Sequence, residues 1–159
     1  MSVERFLPDE AATEDLARQM AAALPPTAVD EPLIVYLEGE LGAGKTSFAR
    51  GLLRALGEKG AVRSPTYGLM AQYSLPAGRV LHLDLYRLRS PEELEALALR
   101  DHLAGNRLWL IEWPDRGVGA LPVPDLTLRL QVEGEGRRAQ FQSGTATGNQ
   151  WLGAVFGCP

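Results

Sequence analysis

The chain has 159 residues, 45% of them hydrophobic and 23% charged, with a net charge of −4. That composition suits a globular domain with a real core and argues against an autonomous nucleic-acid binder, which would carry a basic patch or stripe. No apolar run approaches the roughly 20 residues of a membrane-spanning helix, the N-terminus lacks a signal-like apolar core, and the single Cys158 can form no internal disulfide, so a cytoplasmic protein is expected.

In chain order, Thr13 to Leu24 reads as a helix. Thr13 is its candidate cap, Glu14 and Asp15 stand at its positive end, and Leu16, Met20 and Leu24 share a face. Pro25 and Pro26 stop it. "LIVYLE", Leu33 to Glu38, is a short continuous apolar run of the kind found in strands buried on both faces. Past a glycine loop, Phe48, Leu52 and Leu56 recur with helical spacing, and Gly57 offers a C-terminal stop. "YGLMAQYSL" and "RVLHLDLYRL", separated by "PAG", read as a hairpin. "SPEELEALAL" carries Ser90, Pro91 and Glu93 in the spacing of a capping-box helix start. "RLWLIEW" is another buried strand, and "DLTLRLQVEGEGRRAQFQ" alternates and turns at "GEG" as a second hairpin. Arg137 and Arg138 fall at the exposed start of its second strand. "NQWLGAVF" reads as a short terminal helix. Together these segments describe a single-domain α/β fold, residues 1–159, with a mixed, partly antiparallel central sheet flanked by helices.

The loop "GELGAGKT", Gly39 to Thr46, matches G-x-x-x-x-G-K-[ST] in full. Glycines at that spacing let successive backbone N–H groups turn around phosphate oxygens, and the helix that follows offers its positive end to the same anion. Lys45 can reach the β- and γ-phosphates, and the Thr46 hydroxyl is a hard ligand for Mg²⁺. The alternative, a glycine-rich turn without a ligand, does not explain why the motif falls between a buried strand and an amphipathic helix. A P-loop site also needs an acid, usually at a neighbouring strand end. Asp84, on the face shared by His82, Asp84 and Tyr86, and Glu112, at the end of an apolar strand, are the two candidates. Either could be a solvated strand-end carboxylate instead. His82 reads as a satisfied structural histidine, and Trp109 and Trp113 as packing residues, with Trp113 beside Pro114 also able to shape a mobile loop. Arg87 and Arg116 read as surface arginines that could also stabilise phosphate charge.

A guanine-reading N/T-K-x-D is absent, as is a D-x-x-G switch, which favours ATP by elimination. A small-molecule P-loop kinase and a nucleotide-dependent binding module stay open on the residues alone.

Five stretches carry a resemblance. They are "GELGAGKTSFARGLLRALG", "SPTY" at Ser64 to Tyr67, "DLYR" at Asp84 to Arg87, "PEELE" at Pro91 to Glu95 and "EWP" at Glu112 to Pro114. In this order the sequence resembles the bacterial TsaE family (older name YjeE), the ATPase component of tRNA threonylcarbamoyladenosine (t6A) synthesis, over about Pro32 to Pro122. The resemblance implies an ATP- and Mg²⁺-dependent factor, weakly active alone. It would work with the paired TsaB and TsaD proteins after TsaC has made the threonylcarbamoyl-adenylate, and would meet tRNA only through that complex. Carried over by motif, Gly42, Ala43, Gly44, Lys45, Thr46 and Ser47 hold the phosphates, with Lys45, Asp84 and Glu112 as the catalytic set. Thr46 and Glu112 serve Mg²⁺, Asp84 supports metal or water, Thr66 senses the γ-phosphate, and Thr13 lies towards the adenine. Two departures stand out: Gly68 follows "SPTY" where a hydroxyl residue is frequent, and Ser47 replaces a frequent second threonine.

Overall fold

The computed structural model describes residues 1–27, 31–63, 65, 69–103 and 105–157. Seven strands form one mixed sheet in the order β1-β7-β6-β2-β5-β4-β3. In chain order they are β1 Ser2–Leu7, β2 Leu33–Glu38, β3 Met70–Leu75, β4 Gly78–Asp84, β5 Asn106–Glu112, β6 Leu126–Glu133 and β7 Gly136–Ser143. The centre is parallel, with β2 between β5 and β6 and β4 beside β5. The flanks are antiparallel: β3 on β4, β7 on β6 and β1 on β7. Both hairpins expected from the sequence are present.

Strand alternation separates two apolar layers. Leu33, Val35, Leu37, Leu108 and Leu110 face one side, under the helices α1 Glu10–Ala22, α2 Lys45–Ala55 and α3 Ala146–Phe156. Ile34, Leu81, Leu83, Trp109 and Ile111 face the other, under short 3₁₀ segments that contribute Leu94. Covering both faces explains why the central strands read as unbroken apolar runs. On the helical side α1 and α2 cross closely at Gly51, where a Cβ would come within 2.9 Å of the Ala17 Cβ. That contact draws the start of α1 against the start of α2.

Three local expectations are corrected. The cap of α1 is Asp9, whose Oδ1 accepts from the Ala12 N–H at 2.9 Å, and Thr13 is instead buried in the first turn. Asp9 offers a carboxylate oxygen as acceptor four residues before the Thr13 hydroxyl, and by comparison with other caps contributes about 1 kcal/mol. Pro91–Leu97 is a 3₁₀ segment, not an α-helix, and the Ser90 side chain makes no capping bond. It ends at Ala98, whose φ of +48° breaks any continuation. The strand β1 was not anticipated. Among the described residues no helix is long and apolar enough to cross a membrane.

Candidate functional site

At its C-terminal end β2 turns sharply into the glycine loop. Gly39 makes the turn with φ +148°, and a Cβ there would stand 2.5 Å from the Leu130 carbonyl oxygen on β6, so no larger residue fits. The loop runs to Gly44, which is the N-cap of α2 in a left-handed conformation, φ +105°. The first amides of α2 are thereby left without backbone partners of their own helix and lie beside the loop, the arrangement that receives anions.

Lys45 is buried, and its ammonium donates to the carbonyls of Gly39 and, at 3.2 Å, Glu40. Burial pushes its pKa below the usual lysine value, against the opposing pull of Glu112, Asp84, Glu40 and Asp115. The Trp113 ring lies 4.1 Å from the ammonium. Trp113 follows Glu112 in a left-handed conformation, φ +57°, a backbone state that costs a bulky residue about 1–3 kcal/mol. That turn carries the indole over Lys45, where it also packs against Tyr86 with the rings tilted by 49° and 5.0 Å between centroids. The sequence reading of Trp113 as packing is thus too plain: it walls the site.

The acids come from the neighbouring parallel strands. Asp84 and Glu112 are register partners at the ends of β4 and β5. Asp84 Oδ1 accepts from the Tyr86 N–H at 3.0 Å. Burial nevertheless pushes the Asp84 carboxyl above the ordinary range, and Glu112 adds to the rise. Glu112 is almost fully buried and meets the equally buried His82, Nε2 to Oε2, at 2.7 Å. His82, read on the sequence as a satisfied structural histidine, therefore backs the Glu112 carboxylate from within the sheet. Its signal was weak, because its partner lies 30 residues away.

Glu40 to Ser47, Asp84, Tyr86, Glu112 and Trp113 enclose a cavity of about 230 Å³. Gly42, Ala43, Gly44, Lys45, Thr46, Ser47, Asp84 and Glu112, picked from motifs scattered over 71 positions (112 − 42 + 1), all line it. Thr66 lies outside the described residues. Thr13 lines a second cavity of about 150 Å³ across the loop, with Glu10, Gly42, Gly44, Ser47 and Arg137. There Glu10 Oε1 accepts from the Ser47 hydroxyl at 3.1 Å and pairs with Arg50 at 3.4 Å. Arg137 donates to the Gly42 carbonyl at 3.0 Å, so it clamps the loop and is no mere strand start.

The residues fit a nucleotide with Mg²⁺. The open loop carries positive φ at Gly42 with nothing within 4 Å of its would-be Cβ, leaving space for phosphate oxygens. A hydroxyl and two carboxylates supply hard oxygen donors. Among the described residues no three His, Cys, Asp or Glu side chains gather to hold an ion by themselves.

The family model described as "Threonylcarbamoyl adenosine biosynthesis protein TsaE" matches residues 7–140. The chain belongs to the TsaE family. Among its relatives, the protein named tRNA threonylcarbamoyladenosine biosynthesis protein TsaE in Haemophilus influenzae is 35% identical, over 96% of this chain and 97% of its own. The protein of the same name in Rickettsia bellii is 37% identical over 87% and 92% of the two chains. That in Synechocystis sp. is 40% identical over 72% of each. The fold is also that of "Bacillus subtilus YdiB", a crystal structure matching with TM-score 0.81 at 22% identity, over 98% of this chain and 94% of that one. That likeness agrees with the expected α/β architecture of this chain.

Proposed function

We propose that residues 1–159 form one Mg²⁺-dependent ATPase domain that serves tRNA t6A synthesis in the cytoplasm, acting on the paired TsaB and TsaD proteins. One observation carries this reading: in a chain of the TsaE family, a complete phosphate loop and two strand-end acids open onto the same cavity. The amides of Gly42 to Ser47 bind the phosphates, and Thr46, Asp84 and Glu112 hold the metal and its waters. Bound Mg²⁺ neutralises charge on the β- and γ-phosphates. Lys45 leaves the Gly39 and Glu40 carbonyls to meet the same oxygens. Thr66 contacts the γ-phosphate, and the Thr13 cavity takes the nucleoside end. With a net charge of −4 the protein reaches tRNA through its partners, and ATP turnover resets the complex between modification cycles.

The test is the ATPase rate with and without the TsaB–TsaD pair. Strong stimulation is expected. A rate indifferent to the pair would leave a nucleotide binder with incidental hydrolysis. Stoichiometric transfer of phosphate to a small acceptor would replace the reading with a kinase.

A further inference from the structure

His82 lies behind Glu112, within the sheet and outside the rim of the phosphate cavity. It stands on β4 opposite Leu110 of β5, while Asp84, two residues on, stands opposite Glu112. Its ring therefore reaches diagonally along the strand pair to the Glu112 carboxylate, 2.7 Å away. Its exposure is 0%, and its other ring nitrogen, Nδ1, has no hydrogen-bond partner among the described residues.

These contacts select one arrangement of the proton. With hydrogen on Nδ1, a buried donor would go unsatisfied, and the bare Nε2 would face an ionised carboxylate oxygen at 2.7 Å, acceptor against acceptor. A proton on the carboxyl oxygen, donated to Nε2, would also leave the N–H on Nδ1 without a partner. Hydrogen on Nε2 instead makes a charge-assisted bond to Glu112 and leaves a bare nitrogen in an apolar setting, the least costly state.

We infer that His82 is a positioning residue for Glu112: its Nε2–H holds one carboxylate oxygen from inside the sheet and so fixes the carboxylate's orientation towards the phosphate cavity before any nucleotide arrives. The inference rests on the ATPase reading for its consequence, though not for the geometry. Partners of this kind that orient a site carboxylate change activity by about 10–100-fold when removed.

The experiment compares wild type, His82→Leu and His82→Gln as full chains with the TsaB–TsaD pair under saturating Mg²⁺. Leu fills the space without a donor, and Gln places an amide N–H close to the Nε2 position. For His82→Leu the expected result is a kcat about 10–100-fold lower with KM for ATP within about threefold. His82→Gln recovers most of that loss. In a Glu112→Gln background, His82→Leu adds less than about twofold, because its effect passes through Glu112. A His82→Leu variant of full kcat, equal damage from Leu and Gln, or additive loss beside Glu112→Gln each overturns the inference. Nitrogen-15 spectra of the wild-type imidazole test the same contact without any substitution. A proton on Nε2 with Nδ1 bare is expected, and a proton on Nδ1 overturns it. A wild-type chain without turnover beside its partners removes the ATPase reading and the catalytic consequence together, whereas an active wild type with an indifferent Leu variant removes only His82.

Discussion

The two walls of the phosphate cavity are built in different ways. The loop wall, Glu40 to Ser47, is made mostly of main chain, with one lysine, two hydroxyls and the Glu40 carboxylate, all from a single uninterrupted stretch. The acid wall gathers Asp84, Glu112 and Trp113 from two strands and the turn after one of them, held in register by β4–β5 pairing, with His82 behind Glu112 inside the sheet. A main-chain wall binds by shape, with distant support from Arg137 on the Gly42 carbonyl and Glu10 on the Ser47 hydroxyl. A side-chain wall depends on sheet register, on burial and on one unusual backbone turn at Trp113. Binding is accordingly assigned to the first wall and turnover to the second, and this division is open to attack from either side.

The largest effect is expected at Lys45. Lys45→Ala removes a buried ammonium that lines the cavity, and a charge-assisted contact of about 1.5–3 kcal/mol corresponds to 10- to 150-fold in affinity. Calorimetry with ATP and Mg²⁺ should therefore show binding about 100-fold weaker or none. Wild-type affinity in this variant would break the assignment of binding to the loop wall. Next comes Glu112→Gln, which keeps the shape of the acid wall and removes its charge. Nucleotide affinity should stay within about threefold while turnover falls at least about 100-fold, as for loss of a general acid–base or metal-orienting group.

Asp84 sharpens the contrast through pH. Its folded pKa lies above the unfolded value of 3.8, so the folded state holds the proton more tightly than the unfolded chain. Stability from this group is present below 3.8 and is lost as pH rises through the folded pKa. Asp84→Asn keeps the acceptor for the Tyr86 N–H and never ionises. At pH 7 it should melt about 1–3 °C higher than wild type without nucleotide, with the gap closing below the ordinary carboxylate range, while turnover drops about tenfold. Equal melting temperatures at pH 7 would mean that burial does not strain this carboxylate.

How much of this was legible in the sequence follows the same division. The loop wall is local, so its motif, the strand before it and the helix after it could all be read in order. Asp84 and Glu112 could be nominated because each ends an apolar strand, but their partnership could not, since only the sheet register makes them neighbours. His82 was passed over for the same reason. The strand β1 left little local trace: only Val3 and Leu7 of its residues are buried, and its partner β7 lies at the other end of the chain. At Ser90 the capping signature was genuine, yet only Leu94 of that segment is buried, too little apolar face to hold an α-helix. Arg137 looked like a surface residue because nothing nearby in sequence hints that Gly42 lies within its reach.

The smallest expected effect lies where the loop wall meets α1. Glu10 accepts from the Ser47 hydroxyl and pairs with Arg50, so a carboxylate sits against the loop proposed to receive phosphate. Its side chain is 62% exposed, which makes the pairing with Arg50 a minor source of stability. Its cost to binding is twofold: a negative charge near the incoming phosphates, and a hydroxyl already engaged. Glu10→Gln keeps an acceptor for Ser47 while removing the charge, so the two costs separate. If charge dominates, Glu10→Gln should bind ATP about two- to threefold more tightly at low salt, with the advantage fading as ionic strength rises past about 0.15 M. If the hydroxyl dominates, Glu10→Gln should match wild type and only Glu10→Ala should bind more tightly, at every salt concentration. Weaker binding by both variants would show that Glu10 assists the loop wall, and that α1 belongs to the phosphate-binding wall instead of competing with the ligand at its edge.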